Sequence, residues 1–289
     1  MTTQPISTDT PRSHISWRQV GMVGAIALIV VLSLAPILWQ VLTSIKTNAD
    51  ISAVPNVYFP TRFTLQHYIE LFSRRPFLTY MLNSFIVAVI STVLCLVIGT
   101  PAAYALARLK LPGENVLLSL ILIVTLFPYI LLFLGLLELV RAAGLGNNYL
   151  ALIIPYTAIN LPLTILVMRS FFQHLPRDLE DSAKVDGYNT GQMLTQILVP
   201  LTAPALVTTG ILAFIFAWNE FIFALTFITR ESMKTVPVAA AQIGGTSIFE
   251  VPYGPLAAAT VVGTLPLIVL VLIFQRRIVQ GLTSGAVKG

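Results

Sequence analysis

The chain has 289 residues, of which 56% are hydrophobic and only 10% are charged, whereas soluble domains carry about 25% charged residues. Its mean hydropathy is +0.85, so the composition excludes an ordinary soluble protein. The net charge is +5, but the basic residues gather mostly between apolar runs, which is typical of membrane topology and not of a nucleic-acid-binding patch. The single cysteine, Cys95, has no partner in the chain for a disulfide or a cysteine-based metal site.

Six apolar stretches predict membrane-spanning helices. Crossing about 30 Å of hydrocarbon takes roughly 20 apolar residues as a helix, because every backbone polar group must be satisfied within the segment. The stretches are 20–42, 80–107, 115–137, 149–171, 203–228 and 256–274. We therefore predict an all-α membrane protein with six transmembrane helices. Its membrane domain (20–275) lies between an N-terminal segment (1–19) and a C-terminal tail (276–289).

The basic residues predict the orientation of these spans. Six spans place both termini on one side, and ten of the 17 Lys and Arg residues share that side: Arg12, Arg18, Arg108, Lys110, Arg169, Arg177, Lys184, Arg276, Arg277 and Lys288. Several of the others lie in the first loop (43–79), whose length weakens their effect on topology. Both termini, and the loop between the fourth and fifth spans, are therefore predicted to be cytoplasmic.

The loop between the fourth and fifth spans has the start and stop signals of a short helix at 174–187. Pro176 suits the first turn and Gly187 suits the stop. Acidic residues concentrate at the N-terminal end, where they favour the helix dipole. Helical spacing puts small or short side chains on one face that another protein could approach closely; they are Leu179, Ser182, Ala183 and Asp186. The alternative is a helical loop that only faces solvent.

This loop resembles a known signature. Residues 180–187 read Glu-Asp-Ser-Ala-Lys-Val-Asp-Gly and residues 197–200 read Ile-Leu-Val-Pro. They are similar to the Glu-Ala-Ala, three residues, Gly, nine residues, Ile-x-Leu-Pro signature of binding-protein-dependent ABC importer permeases. The spacing is kept, and the departures are Asp181 for Glu, Ser182 for Ala and Val199 for Leu.

Two further stretches narrow the resemblance to the smaller permease subunit of the maltose-type carbohydrate importers. Residues 218–221 read Trp-Asn-Glu-Phe, and the end of the chain, 281–289, is similar to the characteristic tail of that family. The resemblance implies a type I ABC importer permease fold, in the bacterial cytoplasmic (inner) membrane. It also implies import of a sugar or oligosaccharide by alternating access.

The same resemblance implies partners and a site. The coupling loop (173–200) would carry an ATPase-coupling helix seated in a cleft of an ATP-binding cassette subunit. Its residues are Glu180, Asp181, Ser182, Ala183, Asp186 and Gly187. A second permease subunit, two ATPase subunits and an extracytoplasmic substrate-binding protein would complete the transporter, with the outer segment 230–255 reaching toward the binding protein.

The sequence predicts a chain that is not an enzyme. No Gly-x-x-x-x-Gly-Lys-Ser/Thr phosphate loop occurs in it, so ATP and Mg²⁺ would be bound by the partner ATPase subunits and no cofactor by this chain. The histidines, His14, His67 and His174, are scattered over separate loops, and no metal site is predicted.

Polar residues inside the spans are candidates for a substrate pathway. Glu220 is the only acidic residue well inside a predicted span, where a charge costs from about 2.5 to more than 10 kcal/mol. Asn83 and Asn219 could join it along a path for substrate hydroxyls. Hydrogen bonding between helices is the alternative, and the sequence leaves both open.

Three other functions are alternatives for a chain of this composition. An ion-gradient-driven secondary transporter would show repeats and more intramembrane ionisable residues, and an ABC importer for a non-sugar solute would have the same architecture. A membrane-embedded enzyme would need paired carboxylates, a histidine cluster or an activated nucleophile, and no such constellation is visible in the sequence.

Overall fold

The computed structural model describes residues 17–244 and 251–284, with side chains as far as residue 275. Four unbroken helices are long and apolar enough to cross a membrane. They are α1 (Trp17–Ser44), α4 (Phe77–Arg108), α7 (Leu150–His174) and α14 (Tyr253–Ser284). They confirm four predicted spans and extend each of them. The helix α14 continues beyond residue 276, whereas the boundary between membrane domain and tail predicted there stays a prediction. The predicted segments at 1–16 and 285–289 lie outside the described residues.

The third span is broken in the middle. It consists of α5 (Glu114–Leu126), a 3-10 turn (Tyr129–Leu132) and α6 (Phe133–Ala142), and the two halves meet at 90°. The stretch predicted as the third span, 115–137, is therefore two helices that meet at a sharp bend. Pro128 disfavours helical geometry in the residue before it, and Phe127 is accordingly extended, with ψ 130°.

The fifth span is broken at both ends. Three short elements, α9 (Thr190–Met193), a π-helical turn (Leu194–Leu198) and α10 (Val199–Leu201), precede α11 (Ala203–Asn219) and are bent by 82° against it. The helix then stops at Glu220, which is extended with ψ 129°, and α12 (Ile222–Phe227) follows. The stretch predicted as the fifth span, 203–228, is thus also two helices separated by a break. With each bent pair counted as one span, the described residues provide up to six.

α4 lies at the centre of the bundle, packed most extensively on α7 and then on α11, while α14 contacts α11 and α1. Gly99 makes the close approach of α4 to α7 possible, because a Cβ there would lie 2.7 Å from Thr164 Cγ2. Small residues commonly serve this purpose between membrane helices. Two buried apolar clusters result, a large one that reaches the predicted outer side and a smaller one at the other end.

Short helices cover the predicted outer side. α2 (Asn48–Ile51), α3 (Gln66–Arg74) and α13 (Val236–Ala241) lie in the two long outer segments. A 3-10 turn (Glu231–Met233) precedes α13. The second outer segment is therefore not a regular helix over its described residues, and residues 245–250 are outside the described part of the chain.

Candidate functional site

The predicted short helix between the fourth and fifth spans is α8 (Asp178–Val185). It ends in a Schellman arrangement. The Gly187 N–H donates to the Lys184 carbonyl at 3.1 Å, and the Tyr188 N–H donates to the Ala183 carbonyl at 2.9 Å. Gly187 has φ +84°, a left-handed conformation that glycine adopts without strain. The predicted stop is confirmed, whereas Pro176 precedes the helix and does not lie in its first turn.

One face of α8 is buried in the protein itself. Glu180 and Ala183 are 7% and 2% exposed. Ala183 belongs to a cluster with side chains of α4, α7 and α9, including Tyr104, Phe172 and Met193. Our prediction that Ala183 shares an outward surface with Ser182 is therefore wrong. Its small side chain lets α8 lie close to the chain's own helices.

Glu180 forms a buried ion pair with the last residue of α4. Arg108 Nε lies 2.7 Å from Glu180 Oε1, and the side chains are 7% and 10% exposed. The N–H does not point straight at that oxygen, and neither atom has another hydrogen-bond partner. Tyr104 donates to Glu180 Oε2 at 3.3 Å, and Arg108 Nη2 donates to the Leu175 carbonyl at 2.5 Å. The carboxylate thus joins α8 to the end of α4.

The opposite face of α8 is exposed. It carries two of the predicted coupling residues, Asp181 and Ser182, together with Val185, which is 87% exposed. Asp186 and Gly187 follow the end of the helix, are exposed as well and extend this surface. An exposed Asp181–Lys184 pair at 3.3 Å contributes little to stability. This face offers carboxylates, a hydroxyl and an apolar side chain to a partner.

Glu220 lies where the fifth span breaks and caps the helix that follows the break. Its carboxylate accepts hydrogen bonds from the N–H groups of Phe223 at 3.0 Å and Ala224 at 3.1 Å, so it caps α12. Tyr156 Oη on α7 donates to Glu220 Oε2 at 2.5 Å. Glu220 is 5% exposed, and these contacts correspond to the interhelical alternative that the sequence left open.

Asn83 and Asn219 lie in separate parts of the protein and make unrelated hydrogen bonds. Asn83 is 2% exposed; its amide donates to the carbonyls of Ser232 at 3.0 Å and Lys234 at 2.9 Å, and it accepts from Tyr149 Oη at 2.7 Å. Asn219 is exposed and donates to a carbonyl of its own helix. The hydrogen bonds found over the described residues do not bring the three predicted pathway residues together, and their contact with substrate stays a prediction.

The sequence reading missed Tyr104 and Tyr156 as partners of the two buried glutamates, and it used Arg108 only for topology. Nothing in local spacing marks these residues, because each contact joins helices that are distant in sequence. The only sequence signal for Arg108 was a basic residue at the end of a span, on the same predicted side of the membrane as the acidic loop at 174–187. Over residues 17–244 and 251–284, no group of three or more His, Cys, Asp or Glu side chains could hold a metal ion.

Comparison with known proteins identifies the family. Residues 95–284 match the family described as binding-protein-dependent transport system inner membrane component. The chain belongs to this family. It is a multi-pass permease of the inner membrane, and the predicted family resemblance is confirmed.

Curated permeases are similar over nearly the whole chain. The trehalose transport system permease protein SugB of Mycobacterium tuberculosis is 44% identical over 91% of this chain and 95% of its own. The sulfoquinovosyl glycerol transport system permease protein SmoH of Agrobacterium fabrum is 43% identical over 92% of both chains. The trehalose/maltose transport system permease protein MalG of Thermococcus litoralis is 38% identical over 96% of this chain and 99% of its own.

Solved permease structures share the fold. A chain of a bacterial ABC transporter involved in the import of the acidic polysaccharide alginate has a TM-score of 0.77 at 25% identity, over 92% of this chain and 99% of its own. A chain of the MetNI methionine ABC transporter superposes with a TM-score of 0.54 at 16% identity, over 69% of this chain and 93% of its own. The type I ABC importer permease fold is thereby confirmed.

Proposed function

We propose that this permease is one subunit of an ATP-driven importer that moves a sugar or oligosaccharide from a binding protein to the cytoplasm by alternating access. The observation that carries the proposal is the near full-length similarity to permeases named for sulfoquinovosyl glycerol, trehalose and maltose transport. A second permease subunit, two ATPase subunits and an extracytoplasmic binding protein complete the assembly. ATP and Mg²⁺ bind to the ATPase subunits, and this chain catalyses no reaction.

α8 is the contact with one ATPase subunit. The proposal draws support from its two unlike faces, since Glu180 and Ala183 hold it to the bundle while Asp181, Ser182 and Asp186 remain exposed. A ligand-driven change requires different contacts in the two states, and a helix that is exposed on one side and fixed on the other can form them. Both termini and α8 lie on the cytoplasmic side.

Cysteine accessibility tests this orientation. The native Cys95 is buried, so the test uses Ser182→Cys on α8 and Val54→Cys on the first outer loop, where Val54 is 95% exposed. A membrane-impermeant thiol reagent applied to intact cells should label only Val54→Cys, and Ser182→Cys should react after the membrane is opened. A short crosslinker should then join Ser182→Cys to the ATPase subunit. Labelling of Ser182→Cys from outside would contradict the assignment.

Transport measurements test the cargo and the energy source. In vesicles that contain the complete transporter and its binding protein, uptake should require ATP and persist when ion gradients are collapsed. Uptake that follows the ion gradient would support the secondary-transporter alternative. Mass spectrometry of the ligand released from the purified binding protein should identify a sugar, and a non-sugar solute there would overturn that part of the proposal.

A further inference from the structure

The buried Arg108–Glu180 pair connects three parts of the chain. Arg108 is the last residue of α4, Glu180 lies on α8, and Leu175, whose carbonyl also accepts from Arg108, follows α7. Tyr104, one turn before Arg108, donates to the other carboxylate oxygen. A single guanidinium therefore fixes both α8 and the segment that enters it to the end of α4.

Stability by itself does not account for such a pair. Apolar residues of similar volume commonly replace a buried ion pair without loss of stability, whereas the loss of one partner leaves an uncompensated charge. The apolar contacts of Ala183 with the α4 and α7 side chains would hold α8 against the bundle without fixing its direction. A guanidinium is a planar, multiply donating group, so its contacts specify one orientation.

We propose that Arg108 and Glu180 are positioning residues that make α4 move with α8. The inference rests on the proposed function of α8 as the ATPase contact. When an ATPase subunit displaces the exposed face of α8, the pair passes the displacement to the end of α4. Because α4 packs along α7 and α11, the displacement then reaches the centre of the bundle.

The test measures the number of substrate molecules transported per ATP hydrolysed by the complete transporter in vesicles. The double variant Arg108→Met/Glu180→Leu removes both charges and leaves none unpaired. It should assemble and hydrolyse ATP, while transport per ATP falls roughly tenfold, within the range that coupling between two sites usually spans. Thermal unfolding in detergent should change little, which separates positioning from stability.

A neighbouring pair provides the matched control. Arg169 on α7 and Glu114 on α5 form an Arg–Glu pair at 3.0 Å with side chains 21% and 30% exposed, but neither residue lies on α8. The variant Arg169→Met/Glu114→Leu should retain the native ratio of transport to ATP hydrolysis. A native ratio in the Arg108→Met/Glu180→Leu variant, or an equal loss in the control, would overturn the inference.

A second variant covers the case in which the double variant does not assemble. Arg108→Lys keeps the charge but lacks the fork needed to reach Glu180 and the Leu175 carbonyl together, so the ratio should again fall. An unchanged ratio in Arg108→Lys would reject the inference. The Ser182→Cys crosslink separates the proposed ATPase contact from the positioning role. If Ser182→Cys in the otherwise native chain forms no crosslink to the ATPase subunit, the ATPase contact is refuted. A retained crosslink with an unchanged ratio refutes only the positioning role.

Discussion

Tyr156 on α7 donates a hydrogen bond to Glu220 across the point where the fifth span breaks. The other contacts of the carboxylate are the N–H groups of Phe223 and Ala224 at the start of α12. Since a buried charge is tolerated only when it is paired or hydrogen-bonded, the break and the acid depend on one another. Glu220 is explained by this local geometry before any contact with substrate is considered.

Removal of the Glu220 side chain should destabilise the protein. Glu220→Ala leaves two buried N–H groups without acceptors, and each such group costs about 1–3 kcal/mol. Glu220→Gln keeps one acceptor and should cost less. The unfolding temperature of the purified protein in detergent should decrease in the order native protein, Glu220→Gln, Glu220→Ala. Substrate-dependent uptake that falls in Glu220→Gln with unchanged unfolding would instead favour the pathway interpretation.

Asn83 should control the stability of the outer segment. Asn83→Leu removes the donors to the Ser232 and Lys234 carbonyls while it retains an apolar volume in the helix. Hydrogen exchange over 231–236 should become faster, because the segment loses its attachment to α4. Ser119→Leu on α5, where the exposed hydroxyl bonds only to its own helix, is the control and should leave that exchange unchanged. Unaltered exchange in Asn83→Leu would contradict the structural role.

Gly99 should not tolerate a side chain. A methyl group there would meet Thr164 at 2.7 Å, and overpacking of this kind costs about 1–3 kcal/mol. Thermal unfolding of Gly99→Ala should therefore occur at a lower temperature than that of the native protein. Gly24→Ala on α1 is the matched control, since a Cβ at Gly24 has nothing within 4 Å. Equal unfolding temperatures for the two variants would show that α4 and α7 can separate without cost.

Gly187 should be needed for the direction of the chain after α8. A Cβ at this position has nothing within 4 Å, but φ is +84°, and a left-handed conformation costs a residue other than glycine about 1–2 kcal/mol. Gly187→Asp should leave the protein inserted and assembled while it uncouples ATP hydrolysis from uptake, because it adds a charged side chain at the proposed ATPase contact. Gly187→Asn, which tolerates this conformation better, should retain more uptake than Gly187→Val. Unimpaired uptake by all three variants would count against the coupling role.

The outer segment should loosen in acid. Lys234, and then Tyr80, donate hydrogen bonds that hold the pKa of Glu231 below its usual value of 4.5. A lowered pKa in the folded state means that the stabilisation is complete above pH 4.5 and is lost as the pH falls through the lowered pKa. Hydrogen exchange over 231–236, corrected for intrinsic rates, should accelerate in this window. Glu231→Gln should remove that dependence, and its persistence would point to another group.

The positions of the helices were predictable from the sequence because hydrophobic length determines membrane spans. Pro128 and Glu220 lie at two of the three breaks, but a proline is also compatible with a modest kink, and a single acid does not reveal a stop. The geometry of both depends on neighbours such as Tyr156, which is far away in sequence. The stop at Gly187 was predictable because glycine at a helix end is a local rule.

The faces of α8 were not predictable. Helical spacing grouped Ser182 with Ala183, yet Ala183 is buried and Ser182 exposed. Composition contains no information on which side of a short polar helix meets its own bundle. Glu180 illustrates the same limit, since its burial depends on Arg108, which is remote in sequence.

The 90° bend at Phe127 and Pro128 bears on how fast the unassembled subunit is degraded in a cell. Residues 127–132 leave helical hydrogen bonding partly open and carry exposed apolar side chains, and irregular backbone is not stable against lipid. This bend must be covered by protein or water. A chain made without the second permease subunit is therefore expected to be recognised by membrane quality control and degraded faster than a chain in the assembled transporter.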